Sequence, residues 1–165
     1  MSLRANWFTQ LEEPLKIAVP SPSPLDSPGR LLALDLGAKR IGVAVSDELR
    51  ITTRPLPMIS RRSWKELLRQ VAGLVESFEA KGLVIGLPLR LDGGEGTAAE
   101  SVREVAEKFR RSLTVPIYLQ DERLTTIAAN SDLKAAGLNE SQSERKVDSE
   151  AAAIILRDFI DRMQS

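Results

Sequence analysis

The sequence contains neither cysteine nor histidine among its 165 residues. The missing cysteine excludes disulfide frameworks, thiolate zinc sites and cysteine nucleophiles, and the missing histidine excludes serine–histidine–aspartate triads and histidine general bases. If the chain is an enzyme, carboxylates must carry its chemistry. Carboxylates suit hard cations such as Mg²⁺ or Mn²⁺, or they work as an acid/base pair, as in glycosidases.

Aromatic residues, long apolar runs and a net charge are also scarce or absent. Aromatic side chains make up 4% of the chain, so we do not expect base stacking to dominate any contact with nucleic acid. No apolar run reaches the roughly 18 residues of a membrane-spanning helix, and no signal-peptide pattern is present. Basic and acidic residues number 23 each, so any attraction for a polyanion must be local. We expect a soluble, cytoplasmic protein with no membrane partner.

The composition changes near residue 30. Residues 1–29 are rich in proline and serine, which predicts an extended, flexible arm. A short helix around Trp7, Phe8 and Leu11 that docks on the domain or on a partner is the alternative. Residues 30–165 are long enough for one domain with a core of its own.

An acid interrupts the first apolar run of this domain. The segment Leu31–Leu36 alternates so that Asp35 shares a face with Leu31 and Ala33, and a turn led by Gly37 joins it to a second apolar run. A carboxylate on a core face is costly unless it is paired, hydrogen-bonded or bound to a metal. The alternative is an aspartate that caps the turn.

Further strand patterns follow this hairpin. Pro55 and Pro57 confine a third strand, Ile51–Ile59, to a sheet edge. Continuous apolar residues over 82–89 are typical of a central parallel strand, and residues 115–120 form the next strand. The pattern predicts an α/β fold whose mixed five-stranded sheet begins with antiparallel hairpin strands, continues with parallel strands and is flanked by helices.

Capping signals predict where the helices begin. Ser63 with Glu66 and Thr97 with Glu100 match capping boxes, and Gly82 is the predicted stop of the first helix.

The remaining helices lie near the C-terminus. A helix capped at Thr125 or Thr126 is expected to run to about Ala136, residues 138–146 are predicted to form a polar loop, and the last helix is predicted over about 147–163.

Three acidic residues lie at the end of a predicted strand or helix and have apolar residues around them. Asp35 and Glu122 lie at the carboxyl ends of strands, where α/β sheets usually bind ligands. Asp148 opens the last predicted helix in line with Ala152 and Ile155, and a helix N-cap is the alternative role for it. If the three carboxylates converge, they could hold one or two divalent cations.

Several segments in order resemble the YqgF (RuvX) family of RNase H-like nucleases, over roughly residues 30–161. They are Asp35-Leu-Gly37, Ile41-Gly-Val-Ala-Val-Ser46, Val84-Ile-Gly-Leu-Pro88, Asp121-Glu-Arg-Leu-Thr-Thr126, Lys146-Val-Asp-Ser149 and Ala151-Ala-Ala-Ile-Ile-Leu156. The proline-rich arm and the linker before Lys146 depart from the family pattern without touching these segments.

The resemblance implies an RNase H-like domain in which Asp35, Glu122 and Asp148 are the catalytic acids and the ligands of Mg²⁺ or Mn²⁺. It implies a metal-dependent endonuclease that hydrolyses phosphodiester bonds in 5′-end maturation of pre-16S rRNA. A Holliday junction resolvase is the alternative within the family. Divalent cations would activate the attacking water and stabilise the leaving oxygen.

Basic residues flank the matching segments. The candidates for phosphate contacts are Lys39, Arg40, Arg90, Arg123 and Lys146. For any one of them, a solvated surface charge is the favoured alternative. The expected partner is nucleic acid, with a structured RNA precursor favoured over branched DNA, and the expected state is a monomer or a homodimer.

Two other functions stay open on the sequence. An actin-like or sugar-kinase-like ATPase also uses a D-x-G hairpin, but it needs two lobes and this chain has residues for one. A non-catalytic binding or regulatory module could keep the fold without using the acids.

Overall fold

The computed structural model describes residues 23, 25–90, 94, 96–122 and 140–165, with residues 140–148 described as helix backbone alone. The elements in these ranges are β1 (Leu31–Leu36), β2 (Arg40–Ser46), β3 (Thr53–Ser60), α1 (Trp64–Ser77), β4 (Gly82–Leu87), α2 (Thr97–Ser112), β5 (Ile117–Asp121) and α3 (Glu140–Met163). None of the helices within these ranges is long and apolar enough to cross a bilayer.

The strands form one mixed sheet in the order β3-β2-β1-β4-β5. β2 is antiparallel to both β1 and β3, whereas β4 is parallel to β1 and β5 is parallel to β4. The predicted mixed five-stranded sheet is confirmed, as is the edge position of the proline-containing strand. The ends of β1, β3, β4 and β5 therefore lie along the same side of the sheet, which we call the carboxyl edge.

Both faces of the sheet are buried. Leu32 and Leu34 of β1 pack in the core formed with α1 and α2, while Leu31 and Ala33 pack against α3. Strand alternation thus places Asp35 on the α3 face, as the sequence predicts.

Small side chains let α3 lie close to the sheet. The buried surface of the helix includes Ala152 and Ala153, and the sheet offers Ala33 and Ala44 beneath it. Two hydroxyls join the layers directly, because Ser149 Oγ donates to Leu56 O at 2.8 Å and Thr53 Oγ1 donates to Ala153 O at 3.2 Å. The later helix residue, Ala153, is bonded to the earlier strand residue, Thr53. The helix α3 therefore runs antiparallel to β3 and begins towards the carboxyl edge.

The ends of α1 show one confirmed prediction and one error. Ser63 Oγ accepts a hydrogen bond from Glu66 N at 3.2 Å, so the predicted N-cap is confirmed. The predicted stop at Gly82 is wrong. The helix ends at Ser77, Glu79 takes a left-handed φ of 49°, and Ala80 N–H donates back to a carbonyl of the last turn. Gly82 is the first residue of β4.

The starts of α2 and α3 also differ from the sequence prediction. Gly96 is the N-cap of α2 and makes no side-chain cap bond, so the predicted capping role of Thr97 is wrong. The predicted loop over 138–146 is wrong from Glu140 onward, where α3 begins. This segment is polar, but apart from Ser141 and Ser143 it is made of good helix formers, and it contains no glycine or proline. The predicted helix over 125–136 lies outside the described residues.

A buried arginine holds the chain that enters β1. Arg50 is 6% exposed; its Nε donates to Gly29 O at 2.7 Å and its Nη1 to Leu25 O at 2.8 Å. The described residues 25–29 are therefore bound to the sheet, although the sequence assigns them to the arm. The boundary at residue 30 stays a prediction.

We predict that Ser149→Ala lowers the free energy of unfolding by about 1–2 kcal/mol, because it removes a buried hydrogen bond between α3 and β3. Ser77→Ala is the matched control, since Ser77 also donates to a carbonyl but is exposed. Urea denaturation of both variants provides the measurement. Equal, small losses in the two would show that the Ser149 bond does not hold α3.

Candidate functional site

Asp35 lies next to the last residue of β1, opposite Gly42 of β2. The turn that follows is closed by backbone groups, because Gly37 N–H donates to the Asp35 carbonyl oxygen at 3.1 Å. The turn thus has a backbone bond of its own, and the Asp35 side chain faces the layer covered by α3.

Glu122 follows β5 and lies on the same face of the sheet. Its N–H donates to Leu87 O at 3.2 Å, which extends the ladder between β4 and β5 by one residue. Alternation along β5 places Glu122 on the face of Tyr118, whose ring lies 5.2 Å from that of Phe159 in α3. The two acids that the sequence places at strand ends are therefore brought to one face.

Gly86 of β4 makes room for this arrangement. It lies opposite Gln120 of β5 and follows Ile85, whose partner on β1 is Leu34, so it is level with Asp35. A Cβ on Gly86 would lie 2.5 Å from Glu122 Oε2 and 2.6 Å from Ile155 Cδ1. The Glu122 carboxyl thus reaches across a strand that has no side chain at this position.

The two carboxyl groups interact directly. The pKa of Glu122 is raised to about 8, first by burial, then by the negative charge of Asp35 and by a hydrogen bond with the Asp35 side chain, and further by Asp121. A raised pKa of this origin means that, near neutral pH, the Glu122 carboxyl keeps its proton and donates a hydrogen bond to the Asp35 carboxylate. The two carboxylates repel each other when both are ionised. A proton on Glu122 removes this repulsion, and a bound cation would also reduce it.

Asp148 belongs to α3, but its side chain is outside the described residues. It is the ninth residue of α3, which begins at Glu140, so the predicted position at the helix start is wrong and an N-cap role does not apply. Ser149, the next residue, is bonded to Leu56, which is level with Leu34 through β2. Because α3 begins towards the carboxyl edge, the backbone of Asp148 comes level with Asp35.

The structure describes only some of the residues that the sequence predicts to bind phosphate. Lys39 and Arg40 lie in and after the β1–β2 turn, and Arg90 follows β4, so these three residues are at the carboxyl edge. Arg123 and the side chain of Lys146 are outside the described residues. Among the described side chains, no group of three metal-ligating residues lies together.

Two contributors to this edge were missed in the sequence. Gly86 gave a signal, since a glycine inside a buried strand marks a close approach, but its partner across β5 depends on register. Arg61 donates through its N–H to Lys39 O at 2.9 Å and through Nη1 to Gly37 O at 3.0 Å. It could have been found as the first cation after a strand parallel to β1.

Comparison with known proteins assigns the family. A sequence model described as "RuvX: Holliday junction resolvase" matches residues 29–162. The chain belongs to the RuvX family. A protein of Anaeromyxobacter sp. (strain K) named "Putative pre-16S rRNA nuclease" is 42% identical over 133 residues, which cover 81% of this chain and 97% of that protein. A protein of the same name from Roseiflexus sp. (strain RS-1) is 38% identical over 134 residues, which cover 81% of this chain and 95% of that protein. Another from Rickettsia akari is 38% identical over 141 residues, which cover 86% of this chain and 90% of that protein.

Solved structures similar to this RuvX chain are more remote. RuvC of T. thermophilus in complex with a Holliday junction substrate is 15% identical, with a TM-score of 0.49, and the match covers 83% of this chain and 97% of RuvC. The fowlpox virus resolvase with its junction DNA is 12% identical, with a TM-score of 0.48, 82% of this chain and 99% of that one being covered. The family assignment rests on the sequence matches.

We predict that Gly86→Ala lowers the free energy of unfolding by about 1–3 kcal/mol, because the new methyl group must displace the Glu122 carboxyl or Ile155. Gly73→Ala is the matched control. Gly73 lies in α1 with nothing within 4 Å of an added Cβ, so the same substitution is expected to stabilise by about 0.5–1 kcal/mol. Guanidinium denaturation distinguishes the two. A neutral or stabilising Gly86→Ala would contradict the packing described.

We predict that the metal-free protein loses stability as the pH rises from about 4.5 to about 8. In this range the unfolded chain ionises Glu122 at its ordinary pKa of 4.5, whereas the folded chain keeps the proton up to about 8. The folded state therefore binds more protons, and the free energy of unfolding falls with pH. Urea denaturation in EDTA across this range measures the fall, which Glu122→Gln should flatten. An equal fall in the variant would assign the effect to other groups.

Proposed function

We propose that this RuvX protein is a nuclease that hydrolyses phosphodiester bonds in the cytoplasm, with Asp35, Glu122 and Asp148 as its catalytic acids. The observation that supports this best is the contact between Asp35 and Glu122, which come from strands on either side of β4. Two carboxyls in contact under a helix weaken the fold unless they are used.

The donor set fits Mg²⁺ or Mn²⁺. Both ions prefer carboxylate oxygens, and no histidine or cysteine is present to favour softer metals. Asp35 and Glu122 would hold the ion, and Asp148 would be the third ligand because its backbone is level with Asp35. A divalent ion bound there would supply Lewis-acid activation of water and of the phosphoryl oxygens.

The protein's own residues prepare this site in three ways. Gly86 leaves the space through which Glu122 reaches Asp35. The hydroxyl of Ser149 bonds α3 to β3 one residue after Asp148, which would hold Asp148 towards the carboxyl edge. Loss of the Glu122 proton frees both carboxyls to act as ligands, so the site is expected to bind the ion more tightly as the pH rises.

We propose the 5′ flank of pre-16S rRNA as the substrate. Relatives that bear the name of this activity are about 40% identical and are matched over nearly their whole length. The neutral overall charge and the few aromatic residues suit recognition of a structured backbone rather than of stacked bases.

Branched DNA is the second candidate substrate, because the family model carries the description of a Holliday junction resolvase. A four-way junction has two-fold symmetry, so its cleavage would call for a homodimer with two sites. An RNA flank can be cleaved by a monomer.

We predict that Asp35→Asn lowers metal-dependent cleavage at least about 100-fold, because it removes a charged ligand from the ion. The assay measures cleavage of a precursor RNA and of a four-way DNA junction with Mg²⁺, Mn²⁺ or EDTA. Glu48→Gln is the matched control, since Glu48 is an exposed acid at the opposite edge. Metal binding should be followed in parallel by calorimetry with Mn²⁺.

Each outcome decides between the functions. Cleavage of the RNA alone supports the proposed substrate, and cleavage of the junction alone replaces it by the resolvase. Equal cleavage by Asp35→Asn and the wild type would overturn the site. No cleavage of either substrate by the wild type would favour the non-catalytic module.

A further inference from the structure

The charges of this neutral chain are unevenly placed. The segments 36–46 and 53–65 contain no aspartate or glutamate. Five cations gather where these two segments meet at the carboxyl edge, and we call them the cationic edge: Lys39, Arg40, Arg61, Arg62 and Lys65.

Hydrogen bonds join the two segments into one surface. Arg61 N–H donates to Lys39 O at 2.9 Å, and its Nη1 donates to Gly37 O at 3.0 Å. Gly37 in turn donates to the Asp35 carbonyl oxygen at 3.1 Å. One side-chain bond, from Arg61 to Gly37, and one backbone bond, from Gly37 to Asp35, therefore connect the cationic edge with the Asp35–Glu122 pair.

The cationic edge crosses from one face of the sheet to the other. Asp35 faces α3, whereas Arg62 and Lys65 lie at the start of α1, which packs on the opposite face. Lys39, Arg62 and Lys65 are exposed. Near the middle of this path, between the β1–β2 turn and α2, a hollow of about 210 Å³ is lined by Ala38, Arg61 and Ser101 among others.

The acid beside this surface, Glu66, makes its side-chain hydrogen bonds within α1 and acts on Arg62 through charge alone. Glu66 accepts hydrogen bonds from Arg69 at 2.6 Å and from Gln70 at 2.8 Å, which commits its carboxylate to the helix. At the opposite edge, acids and cations are mixed: Asp47, Glu48 and Glu79 lie there with Arg30 and Lys81.

We propose that the cationic edge binds the sugar-phosphate backbone of the nucleic acid and leads it from the Asp35–Glu122 pair over the sheet edge to the start of α1. This rests on the proposed function, and it adds Arg61, Arg62 and Lys65 to the contacts that the sequence predicts. Two segments that contain no acid and bring five cations together match a polyanion with a charge every ~3.4 Å along each strand. RNA and DNA share this chemistry.

The test measures binding without cleavage. The full-length protein is titrated in EDTA against a labelled hairpin RNA and against a labelled four-way DNA junction at increasing KCl. The variant is Arg62→Gln with Lys65→Gln, which leaves the bonds of Arg61 in place. Arg111→Gln with Arg157→Gln is the control, since these are two exposed cations of α2 and α3 away from the carboxyl edge.

We expect the variant to bind on the order of tenfold more weakly and its salt slope to shrink by about 2, because two phosphate contacts are lost. The control should bind like the wild type. Unchanged binding by the variant, or an equal loss in the control, would overturn the proposal. If the variant binds only one of the two nucleic acids more weakly, the proposal is supported and the affected nucleic acid is identified as the ligand of the cationic edge.

The outcome is separable from that of the proposed function. Asp35→Asn tests cleavage and should still bind in EDTA, since it keeps the cationic edge. If that variant loses cleavage while Arg62→Gln with Lys65→Gln binds normally, the nuclease stands and the cationic edge fails. Melting curves of all variants exclude unfolding as the cause of a loss.

Discussion

The direct contact between two carboxyl groups imposes the main constraint on this fold. Asp35 and Glu122 are not neighbours in the sheet, because β4 separates their strands. Their contact requires the middle strand to carry no side chain at that level, and Gly86 meets this requirement. The glycine gives up local packing so that the acids can meet, and the raised pKa of Glu122 is the direct consequence. Repulsion of this kind is typical of sites built for a ligand rather than for stability.

The position of α3 depends on small side chains. Alanine side chains on the buried face of the helix and on the sheet beneath it let the two layers approach closely. Small side chains interdigitate little, so packing alone does not fix the position of the helix along the strands. The hydroxyls of Ser149 and Thr53 fix it instead, since each bonds a backbone carbonyl of the other layer. One donor lies on the helix and the other on the sheet, so the two bonds tie the layers together from both sides.

The sequence predicts the sheet and the two strand acids because these depend on local pattern. Alternation around Asp35, the prolines of β3 and the continuous apolar run of β4 each depend on a few adjacent residues. The helix ends were less predictable, because backbone conformation replaced the expected side chains: Gly96 caps α2 in place of Thr97, and α1 stops at a left-handed Glu79 instead of a glycine. Asp148 was placed at a helix start because residues 140–146, about two helical turns, are polar and have no apolar periodicity.

Register was the information that the sequence lacked. That Gly86 is level with Asp35 depends on how β1 pairs with β4, and that Glu122 bends over it depends on how β4 pairs with β5. Neither pairing can be deduced from one strand, since a shift by one residue moves every side chain to the other face. The local motifs therefore identify the acids, whereas only the assembled sheet shows why a glycine lies between them.

Net charge misleads for a similar reason. Equal numbers of acids and cations give no average field, yet their order along the chain, folded through β2 and β3, collects five cations beside the acid pair. Screening limits each charge to about 8–10 Å at physiological salt, so a nearby phosphate is affected by this edge and not by the mixed charges at the far end. A neutral total thus coexists with a local group of cations, and this group lies beside the carboxyl pair, where a bound phosphodiester would be repelled by the acids.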